Sequence, residues 1–291
     1  MFSKINNITY LTNQPLSSYC SFKVGGEAKF LILAHSIDAL LDVLHICKSH
    51  SIKYKIIGGG SNLLFDDLGF NGAIIIYNDK SLKLSSSNLM VSSGVDLSEL
   101  IQYSVNKNLG GFEFAIGVPA KLGGAIVNNL GAYENSISTY IQHITVLRKN
   151  KIVYLNQEEC DFKYHSSIFQ SNNDIILSAS FNPPFQEAKI SKTKMLNFFS
   201  KRTSSQPLEF ANAGSIFKRT PNIIPAKLID EAGLKGLTIN GCQVSKKHSG
   251  FIINLGSATS KDILTLIKII KYKIFEKYNI NLELEIEYIN Y

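Results

Sequence analysis

Apolar residues along the 291-residue chain recur with two spacings, one near 3.6 residues and one of two residues. The first is typical of amphipathic helices and the second of half-buried strands. Ser36 and Asp96 are N-cap residue types placed just before two of the helical stretches. The predicted helices are residues 37–47, 97–105, 191–201, 223–232 and 260–277. The predicted strands are residues 28–33, 52–57, 73–77, 88–92, 144–147, 152–155, 175–181 and 282–288.

The last helix and the last strand have the clearest patterns. Residues 260–277 carry one apolar stripe, while most of the lysines lie off it, so this helix is predicted to pack against a core. The stripe consists of Ile263, Leu264, Ile267, Ile270 and Ile274. From Leu282 the period changes to two, which puts Glu283, Glu285 and Glu287 on one face of a terminal strand. On this pattern alone, the three glutamates are a solvated strand face.

Composition narrows the class of protein. With 45% apolar and 18% charged residues the chain is globular, and its length suggests two domains. The net charge of +7 suits an anionic partner, but the basic residues are scattered in short pairs, so we expect no nucleic acid. No apolar run is long enough to span a membrane, and no signal peptide is visible. We therefore expect a cytoplasmic protein without membrane insertion.

The cysteines and histidines do not indicate a metal site. Cys20, Cys47, Cys160 and Cys242 are far apart and form no CxxC pair, so we expect reduced thiols in the core. His45, Cys47 and His50 resemble a ligand cluster. Their offsets do not place all three on one helical face, so no metal is expected there.

Glycine-rich segments are the first indication of chemistry. Gly58, Gly59 and Gly60 follow an apolar strand, and their amides are suited to binding a phosphate, although a tight surface turn explains them equally well. Neither a dinucleotide fingerprint nor a P-loop is present. A second glycine-rich segment spans residues 110–133, where a glycine density this high indicates close approach of the main chain. Two such segments suggest a long cofactor that carries a diphosphate.

Taken together, residues 18–26, 58–63 and 117–133 resemble the FAD-contacting segments of the UDP-N-acetylenolpyruvoylglucosamine reductase (MurB) family. The similarity continues in order through residues 202–207, 212–218, 228–236, 243–248 and 282–286. It therefore covers nearly the whole chain. The short segment between His165 and Arg202 is similar to the family's shorter subclass.

The resemblance implies an α+β fold, with a two-lobed FAD-binding domain of the vanillyl-alcohol-oxidase (PCMH) type and a C-terminal α+β substrate domain. The expected divisions are an N-terminal arm at 1–21, an FAD domain at 22–183 with lobes at 22–77 and 78–183, a substrate domain at 184–278 and a returning strand at 279–291. FAD is expected without a covalent link, and NADPH as co-substrate. The cofactor residues implied are Phe22, Lys23, Gly25, Gly58, Gly59, Gly60, Ser61, Asn62, Leu63, Gly117, Pro119, Gly123, Gly124, Asn129, Gly131 and Ala132.

The resemblance also implies a reaction. NADPH reduces FAD, and hydride then passes to the enolpyruvyl double bond of a UDP-linked sugar to give UDP-N-acetylmuramate, a precursor of peptidoglycan. Ser215 matches the family's proton donor and Glu285 its catalytic glutamate. The residues expected on the UDP-sugar side are Tyr164, Arg202, Lys218, Gln243 and Lys247, and for Lys247 a solvated surface position is equally expected. The protein is expected to be a monomer.

One position departs from the family pattern. His165 stands where the family has a catalytic arginine that stabilises the enolate. Histidine is shorter, lacks the bidentate fork and is charged only when protonated. Three interpretations remain open: His165 acts as a protonated substitute, another cation takes the role, or the chain is an FAD- or nucleotide-sugar-binding homologue with impaired turnover. A flavin oxidase acting on another substrate is the remaining alternative, but Ser215 and residues 243–248 argue against it.

Overall fold

The computed structural model describes residues 1–290, which form two compact units. Unit 1 contains Met1–Leu11, Phe30–Gly59 and Ala73–Lys201. Unit 2 contains Thr12–Lys29, Gly60–Gly72 and the chain from Arg202 onward. The domain limits expected from the sequence concern which part holds cofactor and which part holds substrate, and they stay a prediction.

Secondary structure is a mixture of strands and mostly short helices. The α-helices are α1 Ile37–Ser49, α2 Leu97–Asn106, α3 Leu122–Val127, α4 Ala188–Ser205, α5 Pro225–Glu231 and α6 Ser260–Tyr278. The 3₁₀ helices are Phe2–Lys4, Leu16–Tyr19, Glu113–Ala115, Ile137–Tyr140, Glu158–Cys160 and Ile168–Gln170. The strands are β1 Ile8–Pro15, β2 Glu27–Ala34, β3 Tyr54–Ile57, β4 Leu63–Phe65, β5 Phe70–Tyr77, β6 Leu82–Ser85, β7 Asn88–Ser92, β8 Gly131–Ala132, β9 Asn135–Ser136, β10 Ile141–Arg148, β11 Lys151–Asn156, β12 Ile175–Phe181, β13 Thr238–Ile239, β14 Cys242–Val244, β15 Ile252–Asn254 and β16 Glu287–Ile289.

Unit 1 contains an antiparallel five-stranded sheet in the order β11-β10-β12-β7-β6. One face of this sheet is covered by a buried apolar cluster to which α2 and α3 contribute Leu100, Leu122 and Ile126. A four-stranded sheet has the order β1-β2-β5-β3, and β3 is parallel to β5. Within unit 1, α1 packs Leu40 and Val43 into a second cluster with β2 and β5. Ser36 caps α1 as predicted, because its Oγ accepts from the Ala39 amide at 3.2 Å.

Unit 2 contains the three-stranded sheet β13-β14-β15, and α6 contacts β13 and β14. The short strand β16 pairs in parallel with β4, so that Glu287 lies opposite Leu63. Asp67, which follows β4, accepts hydrogen bonds from the Ser260 amide at 2.7 Å and the Lys261 amide at 3.1 Å. A carboxylate at this position satisfies amides that the first turn of a helix leaves without partners.

Most of the predicted elements are confirmed, including the bounds of β7 and β12 and the position of Asp96 as the N-cap of α2. Some elements were not predicted, and the terminal strand was predicted too long. Residues 8–15 of the expected arm form strand β1, whose polar residues are mostly exposed at a sheet edge and so hide the alternation. The glycine-rich segment contains helix α3. The terminal strand is limited to β16, because a bend at Glu285 and Ile286 interrupts the alternating stretch. In α6, Leu266 is buried and Leu264 only partly so, which shifts the predicted stripe slightly.

The cysteines are buried, as predicted, and none of the four forms a disulfide. Among residues 1–290, no group of three or more His, Cys, Asp or Glu side chains is arranged to hold a metal ion. Within the same range, no helix combines the length and the apolar character needed to cross a membrane.

The Asp67 contact with α6 gives a stability prediction. Asp67→Ala removes a carboxylate that bonds two helix-terminal amides, so we expect the free energy of unfolding to fall by about 1–2 kcal/mol. Chemical denaturation measures this change. Asp42→Ala, at an exposed position within α1, is the matched control and should leave stability unchanged within about 0.5 kcal/mol. Equal losses in the two variants would contradict the capping role.

Candidate active site

In unit 1, two glycine-rich stretches of main chain lie against each other. A Cβ atom at Gly59 would be 3.0 Å from the Pro119 carbonyl oxygen and 3.3 Å from Ala120 Cα. A Cβ atom at Gly58 would be 3.4 Å from the Gly124 amide nitrogen. These distances leave little room for a side chain at Gly59. The close main-chain approach that the sequence indicated therefore occurs between residues 58–59 and residues 119–124, which we call the glycine cradle.

Lys121 attaches the glycine cradle to neighbouring segments of unit 1. Its ammonium group donates to Asn78 Oδ1 at 3.2 Å, to the Gly94 carbonyl at 3.1 Å and to Asp96 Oδ1 at 3.2 Å. Burial lowers the pKa of Lys121, and the nearby Asp96 carboxylate opposes that shift. Lys121 was not predicted from the sequence. The available indication was its place between two apolar residues of the motif, where a basic side chain needs buried acceptors.

The two glycines of α3 have different surroundings. The Gly123 amide donates to the Ser93 carbonyl at 2.9 Å, and a Cβ atom on Gly123 would lie 3.1 Å from Ser93 Cβ. Apart from its chain neighbours and the backbone of its own helix, no heavy atom of residues 1–290 would lie within 4 Å of a Cβ atom on Gly124. Gly123 is therefore needed for packing within unit 1, whereas Gly124 borders open space.

A tight turn beyond α3 carries Tyr164 and His165. Lys163 and Ser166 exchange two main-chain hydrogen bonds of 3.0 and 3.2 Å, which leaves the two aromatic residues at the tip. His165 has φ of 50°, in the left-handed region that histidine enters more often than most residues. The rings of Tyr164 and His165 are 4.4 Å apart, with Tyr164 exposed and His165 half-buried. Gly131, at the start of β8, brings its main chain near His165 Nε2, since a Cβ atom there would lie 3.9 Å away.

The remaining cofactor residues predicted in unit 1 border the same region. Gly117 has φ of 78° and lies in an exposed turn with Pro119. Ala132 follows Gly131 in the two-residue strand β8, which pairs with β9. Asn129 lies just after α3 and is 7% exposed.

In unit 2, the predicted cofactor residues form two adjoining turns. Gly60 has φ of 67°, and a Cβ atom on it would be 2.0 Å from the Tyr19 carbonyl oxygen, so only glycine fits there. Gly25 is similarly restricted by Phe65 at 2.5 Å. Phe22 is fully buried and its carbonyl accepts from Asn254 Nδ2 at 3.0 Å, so its side chain belongs to the core. Lys23 is exposed, and Ser61 and Leu63 are half-buried.

Ser215 and Glu285 are brought together by the main chain of unit 2. The Ile216 amide donates to the Gly250 carbonyl at 3.0 Å, and the Ile216 carbonyl accepts from the Glu285 amide at 2.9 Å. Because Phe217 lies opposite Leu284 in an antiparallel bridge, Ser215 and Glu285 are one residue apart in register. Ser215 is exposed after the left-handed Gly214, in an extended segment that does not cap a helix. The bend leaves Glu285 half-buried, whereas Glu283 and Glu287 are exposed.

The substrate residues predicted in unit 2 each contact a different partner. Lys218 lies 3.8 Å from Glu283, on the chain segment that carries Ser215. Gln243, on β14, donates to Thr238 Oγ1 at 2.7 Å. Arg202 is 7% exposed and donates to Gln206 Oε1 at 3.2 Å. Lys247 lies 3.6 Å from Glu209 and lines a cavity of about 530 Å³ beside α5.

Comparison with known proteins identifies the family. A family model described as the C-terminal domain of UDP-N-acetylenolpyruvoylglucosamine reductase matches residues 206–289, and a model of an FAD binding domain matches residues 28–150. A UDP-N-acetylenolpyruvoylglucosamine reductase from Clostridium botulinum strain Hall is 40% identical over 287 residues, which cover 98% of this chain and 94% of that protein. The chain belongs to the UDP-N-acetylenolpyruvoylglucosamine reductase family.

Two further relatives agree with this assignment. The reductase of Caldicellulosiruptor bescii is 38% identical over 99% of this chain and 93% of its own length. The crystal structure of the Thermus caldophilus reductase superposes with a TM-score of 0.81 at 28% identity, covering 97% of this chain and 98% of that one. The predicted family and α+β fold class, with an FAD-binding domain, are therefore confirmed.

The residues of unit 1 fit the FAD that this reductase family uses. At the glycine cradle, Gly124 borders open space that a ligand can occupy. Asn129 Oδ1 is buried and has no hydrogen-bond partner within residues 1–290. A buried carbonyl oxygen of this kind costs free energy unless a donor reaches it, and FAD carries several N–H and O–H donors.

Gly123 and Gly124 offer a paired test of this fit. Gly124→Ala adds a methyl group where no protein atom is near, so FAD-free protein should unfold at an equal or higher temperature, while FAD binds about tenfold or more weakly. Gly123→Ala pushes against Ser93 and should instead destabilise the FAD-free protein by about 1–3 kcal/mol. Thermal unfolding and titration with FAD measure both effects. Unchanged FAD affinity in Gly124→Ala would place the cofactor elsewhere.

Proposed function

We propose that this reductase-family chain converts UDP-N-acetylglucosamine enolpyruvate to UDP-N-acetylmuramate, with NADPH as reductant, and that Ser215, Glu285 and His165 act on the enolpyruvyl group. The observation that carries the proposal is the hydrogen bond from the Glu285 amide to Ile216, the residue after Ser215, inside a chain that is 40% identical to a reductase over 98% of its length. When bound, FAD supplies the hydride chemistry, accepting electrons from NADPH and passing them to the substrate.

The residues proposed to contact FAD are the glycine cradle in unit 1 and the turns of residues 22–25 and 60–63 in unit 2. Glycine amides suit the diphosphate because they donate hydrogen bonds without a side chain in the way. The cofactor is held without a covalent link. Among the Cys and His residues, Cys20 is the nearest in sequence to these segments. It is buried, its thiol donates to the Val24 carbonyl at 3.2 Å, and burial raises its pKa.

Ser215 is the proposed proton donor to C2 of the enolpyruvyl group. Hydride addition at C3 places negative charge on C2 and its carboxylate. The carbanion that develops at C2 is far more basic than a serine alkoxide. Ser215 is exposed and lies in an extended segment fixed on both sides by main-chain hydrogen bonds, so its hydroxyl is available to a substrate. Glu285, one residue away in register, is the proposed group that handles the proton delivered through the serine.

His165 is the proposed counterpart of the family arginine. Its position at the tip of a turn, beside the exposed Tyr164, leaves the imidazole accessible to the carboxylate of a substrate. A protonated imidazole there stabilises the negative charge that develops on the enolate. The alternative of a binding protein without turnover is not favoured, since the relatives that span nearly the whole chain are named reductases.

The diphosphate of the UDP-sugar requires cations and hydrogen-bond donors. Lys218, Gln243 and Lys247 are our candidates for this role, and Tyr164 and Arg202 are assigned to substrate binding, as the family resemblance implies. Lys218 has the strongest support, because it follows Ser215 on the same chain segment and its ammonium group is about half exposed. We also propose that the protein works in the cytoplasm as a monomer, since NADPH and UDP-sugars are cytoplasmic metabolites.

Ser215→Ala separates proton donation from the rest of the reaction. NADPH bleaches the flavin absorbance and the enolpyruvyl substrate restores it, so stopped-flow absorbance measures the two steps independently. We expect the restoring step to slow by about 100-fold or more, the usual cost of losing a general acid, and the bleaching step to change far less. Ser257→Ala, an exposed serine of the same unit, is the control. Equal slowing of both steps would show that Ser215 holds the cofactor or the fold.

Substitutions at His165 test the need for positive charge. Asparagine tolerates the left-handed main chain of this turn but is neutral, so His165→Asn should slow the restoring step by about tenfold or more at neutral pH. His165→Arg should keep or raise the neutral rate. A parental rate in His165→Asn at neutral pH would exclude a catalytic role.

A further inference from the structure

Each of the two glycine-rich loops ends in an asparagine that bonds the main chain of another segment. Asn62 follows Gly60 and Ser61, and its side-chain amide donates to the Glu285 carbonyl at 3.0 Å. Asn129 follows the α3 segment of the glycine cradle, and its side-chain amide donates to the Lys163 carbonyl at 2.7 Å. The two acceptors lie in the segments that carry Glu285 and His165. The same residue type thus makes the same kind of contact in each unit.

In unit 2, Asn62 holds the bend that interrupts the terminal strand. Its main-chain carbonyl accepts from the Glu287 amide at 3.0 Å, and its side chain bonds Glu285 within the bend. The next residue, Leu63, begins β4 and lies opposite Glu287. The Glu285 bend is therefore fixed from one side by the cofactor loop and from the other by Ile216.

In unit 1, Asn129 holds the turn of residues 163–166. The Lys163 carbonyl that it bonds also accepts from the Ser166 amide and so closes the turn with His165 at its tip. Neighbouring contacts support the same attachment, because Ser167 Oγ donates to the Val127 carbonyl at 2.7 Å and Gln170 Nε2 donates to Asn128 Oδ1 at 2.9 Å. The end of α3 and the His165 turn are thereby joined through side chains.

The other end of the Asn129 side chain has no partner. Asn129 is 7% exposed, and within residues 1–290 its Oδ1 atom accepts no hydrogen bond. Buried amide oxygens are nearly always bonded, so a donor from outside the chain is needed. Asn129 lies directly after α3, the helix whose Gly124 borders open space.

We infer that Asn62 and Asn129 are positioning residues that fix Glu285 and His165 to the cofactor loops, and that Asn129 Oδ1 accepts a hydrogen bond from an N–H or O–H group of FAD. Cofactor binding then steadies the whole Asn129 side chain and, through Lys163, the turn that carries His165. The inference rests on the proposed function only for the roles of Glu285 and His165, since the contacts themselves are tested without turnover.

Hydrogen exchange tests the contacts directly. In FAD-free protein, Asn129→Ala should accelerate exchange of the Ser166 amide by about tenfold, and Asn62→Ala should do the same for the Glu287 amide, because each variant removes one hydrogen bond that closes the local structure. Asn88→Ala is the matched control. Among residues 1–290, Asn88 Oδ1 is also buried without a hydrogen-bond partner, but it lies in the β6–β7 hairpin, so neither amide should change. Unchanged exchange in both asparagine variants would overturn the inference.

Aspartate variants distinguish donation from acceptance. Asparagine and aspartate have the same shape, but a carboxylate cannot donate, so Asn129→Asp should accelerate Ser166 exchange at least as much as Asn129→Ala. Slow, parental exchange in Asn129→Asp would contradict a donor role. Gln170→Ala, at an exposed position whose loss does not threaten folding, should accelerate Ser166 exchange about threefold, because Gln170 also bonds the His165 carbonyl. No acceleration in Gln170→Ala would contradict the attachment of this turn to α3.

Titration with FAD tests the link to the cofactor. Saturating FAD should slow Ser166 exchange in the parent protein and leave it nearly unchanged in Asn129→Ala, which should bind FAD about tenfold more weakly by flavin fluorescence. The same affinity in the two proteins would contradict the bond from FAD to Asn129. Both alanine variants should also slow the restoring step more than the bleaching step, because they release the segments that carry Glu285 and His165. Equal slowing would indicate a structural role alone.

Discussion

The candidate site depends on two stretches of main chain that lie closer together than side chains allow. Gly59 faces the Pro119 carbonyl at a distance where a Cβ atom would be 3.0 Å from the oxygen, and Gly60 is restricted still more by Tyr19. Glycine at these positions costs conformational entropy on folding. The cost is offset by the fixed contacts around the cradle, above all those of Lys121 with Asn78, Gly94 and Asp96. The result is a fixed main-chain surface in which Gly124 borders open space for a ligand.

The proposed proton donor depends on a different constraint. The segment that carries Ser215 has a partner on each side, Gly250 on one and Glu285 on the other, and this double pairing fixes an exposed hydroxyl without a helix or a long strand. The bend at Glu285 then removes one glutamate from an otherwise solvated row. Helix α6 supports this arrangement at a distance, since Asp67 bonds its first turn and Asp66 accepts a hydrogen bond from Tyr288 on β16. Burial, reinforced by that carboxylate, raises the pKa of Tyr288 to about 12.

Much of this was predictable from periodicity, but the exceptions follow a pattern. Helices α1, α2 and α6 were found because capping residues and apolar spacing agree. Helix α3 was missed because Gly123 and Gly124 lower intrinsic helix propensity, and tertiary contacts with Ser93 override it. The bend at Glu285 was missed because alternation continues through it. The hydrogen bond that holds the bend comes from Asn62, a residue more than two hundred positions earlier. Local patterns do not contain such contacts. The family resemblance selected Glu285 where the pattern alone gave a solvated face.

Turnover by the unmodified protein decides whether a chain with His165 in place of the family arginine completes the reaction. The FAD-loaded protein is mixed with NADPH and UDP-N-acetylglucosamine enolpyruvate in deuterated water, and the product is identified by mass spectrometry and NMR. We expect one UDP-N-acetylmuramate to form for each NADPH consumed, with solvent deuterium at C2 of the lactyl group. Flavin absorbance that NADPH bleaches and the substrate never restores would contradict it.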